Sequence, residues 1–106
     1  MNIYKINDMK LGWFVGSFTP TAYSTNEFEV AYKVHCKGEP YASHYHKMAV
    51  EINYLIRGKM KINDVEISAG EIFVIYPNEV AAPFFLEDCE LIVVKTPSVL
   101  GDKYEV

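Results

Sequence analysis

The chain is poor in cysteine and has no long apolar run and no surplus of positive charge. Each shortage removes a class of function. Its longest apolar stretches, Ile72 to Tyr76 and Leu91 to Val94, fall far short of the roughly 20 residues a membrane span needs. Cys36 and Cys89 stand far apart with no C-x-x-C spacing, so neither a disulfide framework nor a cysteine zinc cluster is indicated, and each is expected to be a small buried hydrophobe. Ten Lys and Arg against fourteen Asp and Glu leave a net charge of -4. That balance gives no counterion-release drive toward phosphate backbones or anionic lipid, so nucleic acid and membrane surfaces are not expected partners. Lys5 and Lys10 are interleaved with Asn and Asp8, and Leu11 to Val15 is too short for a signal-peptide core. A cytoplasmic protein is expected.

What is present is a compact all-β composition. The chain has 106 residues, half of them hydrophobic and 14% aromatic, which suits one folded domain over 1–106 with a sizeable core. Six Gly and five Pro cut it into short segments suited to strands. From Glu27 to Lys37 the alternation sets Phe28, Val30, Tyr32, Val34 and Cys36 on one face, and Glu27, Glu29, Lys33, His35 and Lys37 on the other. The pattern predicts a half-buried strand with the apolar set inward and His35 solvated, outside any site. Met60 and Ile62 answer Val65 and Ile67 across Asn63-Asp64, a hairpin signal. Glu71 to Tyr76 and Glu90 to Lys95 are further strands by their β-branched and aromatic content. Many short strands point to a sandwich or barrel whose alternate side chains line an interior. Residues 1–27, with Trp13, Phe14 and Phe18, read as a strand-rich N-terminal extension.

His44 and His46 carry the chemistry. Two residues apart on a strand, they share a face about 6.6 Å apart along the backbone, so both imidazoles can reach one ion. A carboxylate such as Glu51 from an adjacent strand would supply charge balance and a third ligand. Two His and one carboxylate leave positions open for water or substrate, and they suit Fe, Zn, Ni or Mn. In the next segment Ile52, Tyr54 and Ile56 share one face while Glu51, Asn53 and Leu55 share the other. Asn53 is therefore a candidate polar contact to a substrate. Tyr76 is a candidate phenol at the pocket, and Ala81 to Phe85 a candidate apolar wall of its mouth.

Gly38, five residues, His44, one residue, His46, four residues, Glu51, six residues and Gly58 together resemble the first motif of the cupins at every defining position. The stretch from Gly70 is similar to the second cupin motif in its glycine and apolar strand. It carries Tyr76 where Pro is usual, Asn78 where Gly is usual and Ala81 where the fourth ligand His is usual. The resemblance runs from about Phe28 to Val94. It implies a cupin-type double-stranded β-helix, a jelly-roll barrel, with a divalent metal ion held by His44, His46 and Glu51 and a substrate pocket that includes Asn53, Tyr76, Ala81 and Phe85. The function expected is oxygenase- or isomerase-type chemistry on a small oxygen-rich molecule. The alternative is a non-catalytic module binding a sugar or other metabolite. Homodimerisation through the N-terminal aromatics and the Ile52, Tyr54 and Ile56 face is also expected, as it is common among single-domain cupins.

Overall fold

The computed structural model describes all residues from Met1 to Val106. Ten antiparallel strands form it: β1 (Trp13–Val15), β2 (Glu29–His35), β3 (His44–His46), β4 (Val50–Arg57), β5 (Lys59–Ile62), β6 (Val65–Ser68), β7 (Ile72–Ile75), β8 (Pro83–Phe85), β9 (Cys89–Thr96) and β10 (Lys103–Glu105). The only helical piece is a 3-10 turn at Ile6–Asp8, and no helix is long and apolar enough to cross a membrane. Residues 1–27 thus contribute that turn and one three-residue strand.

A five-stranded sheet in the order β1-β2-β9-β4-β7 faces a three-stranded sheet, β6-β5-β8, and the pair β10-β3 is joined to the segment before β8 by an antiparallel bridge between His44 and Ala81. The expected hairpin joins β5 to β6: Ile62 pairs with Val65, and Asn63 and Asp64 take the positive φ that such a tight turn demands. Between the sheets lie Ala31, Leu55, Met60, Ile67, Phe85, Cys89, Leu91 and Val93, all buried. Gly58 ends β4 at φ +98°, where any Cβ would run into the carbonyl oxygen of Asp88. The closing glycine of the first motif is therefore needed for a close backbone crossing.

The register settles which faces point inward. Glu29 lies opposite Lys95, which lies opposite Glu51; in the next inner row Ala31, Val93, Asn53 and Phe73 stand side by side. The intervening rows, Val30-Val94-Ile52-Val74 and Tyr32-Ile92-Tyr54-Ile72, form the outer face. For β4 this matches the expectation from the sequence. For β2 it inverts it: Glu29, Lys33 and His35 turn inward, and Val34 is exposed. Near its mouth the barrel interior is polar, so the apolar set of β2 is the outer one. Cys89 is fully buried as expected, but Cys36, which belongs to the same alternating set as the outward Val34, is exposed.

Candidate metal centre

The short strand β3 presents His44 and His46 to the interior, at 5% and 2% exposure. Tyr45, between them, turns outward and stacks on Tyr104 of β10 with ring centroids 5.3 Å apart. Three contacts fix this strand. β10 pairs with it residue for residue. His44 exchanges both backbone hydrogen bonds with Ala81, at 2.7 and 3.0 Å, and the Asn78 N–H donates to the His46 carbonyl at 2.6 Å. The third contact comes from Asp102, whose carboxylate accepts from the N–H groups of Lys47, Met48 and Ala49 at 2.9–3.2 Å. Burial alone would raise the Asp102 pKa, but these backbone bonds outweigh it and hold the carboxyl below its ordinary value. Asp102 thereby clamps the turn between His46 and Glu51, a role that no motif in the sequence announces.

Glu51, half-buried on β4, completes the cluster: ligand atoms of His44, His46 and Glu51 all lie within 4.8 Å of one another. Metal–ligand bonds of about 2.0–2.2 Å place donors roughly 3–3.5 Å apart, so side-chain rotations of about an ångström close the set around an ion. The donor set fits a divalent cation. Burial pushes both imidazoles below their ordinary pKa. Lys103 and Lys95 act in the same direction on His44, against the Ala42 carbonyl and Glu51, and Lys95 does so on His46. They are consequently neutral near pH 7, the form that ligates metal. The Nδ1 of His44 lies 3.3 Å from the Ala42 carbonyl. Donation there leaves its Nε2 free for an ion, the usual outer support of a ligating histidine.

The cluster opens into a mouth cavity of about 730 Å³, bounded by the N-terminal segment through Ile6, Met9, Leu11 and Trp13 and by Lys33, Lys95 and Lys103. A second, inner cavity of about 60 Å³ lies beside His44 and Glu51 and is lined in part by Asn53, Ala81 and Phe85. The Nδ2 of Asn53 is buried with no hydrogen-bond partner, so a donor is held ready for a guest there. Tyr76 does not join this group. Ile75 is buried, so its neighbour faces the other way, 61% exposed and lining neither cavity. His35, expected in solvent, lines both cavities at 8% exposure. Its ring stacks on Phe85 at 4.2 Å, and its Nδ1 meets Glu39 at 3.1 Å. The bond to His35 is the largest influence on the Glu39 carboxyl and holds it below its ordinary pKa.

No protein-family model and no curated protein matches the sequence. Solved structures do match. A protein from Klebsiella pneumoniae with a double-stranded β-helix domain superposes with a TM-score of 0.70 at 22% identity, over 77% of this chain and 72% of that one. A cupin-2 domain protein from Shewanella frigidimarina gives 0.57 at 18% identity, over 68% and 72%. The Escherichia coli pirin YhhW, solved in complex with nickel(II), gives 0.66 at 15% identity, over 83% of this chain but 39% of its own. With strand order, register and these superpositions in agreement, the chain has the double-stranded β-helix fold of the cupins.

Proposed function

We propose that the protein binds one divalent metal ion through His44, His46 and Glu51 and acts on a small oxygen-rich molecule held in the mouth cavity. One observation carries this reading: two buried imidazoles and a carboxylate converge where a cavity of about 730 Å³ meets the barrel interior. When bound, the ion would polarise a substrate oxygen or, if redox-active, support oxygen chemistry. The chain's own residues supply the rest. Asn53 Nδ2 offers a hydrogen bond from the inner wall, and Ala81 leaves space where a fourth ligand would stand. His35, its Nδ1 held by Glu39, is placed to move a proton at Nε2. A requirement for O2 separates oxygenase-type from isomerase-type turnover.

Elemental analysis of tag-free protein never exposed to a nickel column, beside a His44→Ala/His46→Ala double variant, is the test. Near-stoichiometric metal that disappears in the variant is expected. No metal, and no uptake of added Fe(II), Mn(II), Ni(II) or Zn(II), would overturn the reading.

Ala81 favours a second one, a non-catalytic module for a sugar or other metabolite, because a missing ligand weakens the ion's hold. Ligand-induced stabilisation that survives a chelator would select it. The two apolar rows on the outer sheet face, with Ile52, Tyr54 and Ile72 exposed, support a homodimer that covers them. The two free thiols suit a reducing compartment such as the cytoplasm.

A further inference from the structure

The charges around the mouth cavity are at odds with the acidity of the chain as a whole. Three of its lysines, Lys33, Lys95 and Lys103, line this one cavity. Lys95 is matched: its Nζ lies 2.8 Å from Glu29, whose other oxygen accepts from Ser98 at 2.7 Å. Lys33 and Lys103 are not. Neither reaches a carboxylate; Lys33 donates to the Leu11 carbonyl at 2.9 Å and Lys103 to the Tyr41 hydroxyl at 3.2 Å, both neutral acceptors. Of the acids lining the cavity, Glu51 belongs to the histidine cluster, and Glu39 is occupied by His35 and the Cys36 N–H. A half-buried ammonium without a counter-ion is costly, and the cost is recovered when an anion arrives. Lys33 shows the strain. Burial first, then Lys103 and Lys95, push its pKa below the ordinary lysine value.

The ammonium groups are also fixed in place. Lys95 Nζ lies 4.8 Å and Lys33 Nζ 5.8 Å from the centre of the Trp13 ring, and Lys103 Nζ lies 4.7 Å from that of Tyr41. Cation–π contacts of this kind hold a lysine head without neutralising it. We propose that the mouth cavity is an anion-binding site, and that the molecule it takes carries a carboxylate or phosphate group received by Lys33 and Lys103 beside Lys95. This deepens the proposed function by naming the charge class of the substrate, and it rests on that reading only for the identity of the cavity, because no lysine is a metal ligand.

Trp13 is the only tryptophan and lies under two of the three ammonium groups, so its fluorescence reports occupancy directly. The full chain, stripped of metal by chelator and separately loaded, is titrated with malonate, with inorganic phosphate and with neutral erythritol, at low and at moderate salt. Saturable quenching or shift by malonate or phosphate is expected in both metal states, weakening as salt rises. The tighter of the two anions tells a carboxylate from a phosphate ligand. Lys33→Gln and Lys103→Gln should each weaken binding by at least about fivefold, the order of one charge contact at a half-exposed site, while metal content stays at the wild-type level. Lys103 is exposed, so its variant remains informative if Lys33→Gln is poorly folded. The proposal fails if neither anion saturates the signal in either metal state, if erythritol binds as tightly, or if both variants bind as wild type does. Metal content, measured on the same samples, judges the metal reading independently.

Discussion

Replacing Asp102 by alanine tests whether the C-terminal segment holds the candidate metal centre together. The carboxylate accepts from three consecutive N–H groups, those of Lys47, Met48 and Ala49. Lys47 and Met48 are exposed, and water can replace their partner at little cost; Ala49 is 3% exposed, and its N–H would be left unpaired. One buried orphan at about 1–3 kcal/mol, plus the loss of two charge-assisted bonds partly recovered from water, comes to roughly 2–4 kcal/mol. Against a total stability of about 5–15 kcal/mol, with about 4–8 °C of Tm per kcal/mol for a domain near this size, the melting point should fall by roughly 8–32 °C. Because the clamped turn lies between His46 and Glu51, metal affinity should fall as well, by about 10- to 100-fold, as for other outer supports of a site. Thermal melts of metal-stripped protein and metal titration of both proteins give the two numbers. Asp102→Asn, which keeps one acceptor oxygen, should lie between. An alanine variant that melts within about 4 °C of wild type and binds metal equally well would refute the clamp.

Four shorter predictions accompany it. The depressed pKa values of His44 and His46 mean that the unfolded chain binds more protons than the folded one just below the ordinary imidazole value. Metal-free protein should therefore be at full stability above about pH 6.5 and lose stability as pH falls from there through the lowered folded values; a Tm independent of pH between 7 and 5 would contradict this. Ala81→His should tighten metal binding by restoring a fourth donor while overpacking the metal-free interior by about 1–3 kcal/mol, and calorimetric titration that finds no tighter binding would place residue 81 away from the ion. His35→Gln should leave metal content unchanged and lower turnover about 100-fold on any substrate found; unchanged turnover would remove His35 from the proton path. Tyr54→Lys, on the outer sheet face, should convert a dimer to a monomer by light scattering, and a wild-type monomer at micromolar concentration would dispose of the interface.

The part of the site that was legible in the sequence is the part fixed by local spacing. Two histidines at i and i+2 must share a face of β3, and the alternation of β4 must send Glu51, Asn53 and Leu55 the same way. Register then brings the two strands together. Alternation gives the period of a strand but not the hand of its faces, and on β2 the usual assumption that apolar residues point inward failed. His35 and Lys33 were missed for that reason, although a strand with three charged or imidazole side chains on one face, in a barrel expected to hold a polar site, carried the signal. Tyr76 follows the same logic in reverse: once Ile75 is seen to point into the core, its neighbour has to point out. Asp102 was illegible for a different reason. Its partners are N–H groups more than fifty positions away, and nothing in the residues around it encodes that contact.

The inversion of β2 has an energetic counterpart on the far side of the sheet. Every polar side chain that the mouth draws inward from β2 leaves an apolar neighbour on the outside, so the Lys33 and His35 that furnish the cavity are matched by Tyr32 and Val34 on the outer face. Across β9, β4 and β7 this face continues as Ile92, Tyr54 and Ile72, too much contiguous apolar surface to leave to water at no cost. The polar cavity and the apolar back are thus two consequences of one strand orientation. Under the proposed dimer, charge added to the back acts on association, whereas charge removed from the mouth acts on the ligand, and the Tyr54 and Lys33 variants should separate cleanly: the first losing the dimer with its anion binding intact, the second binding anions at least about fivefold more weakly with its association unchanged.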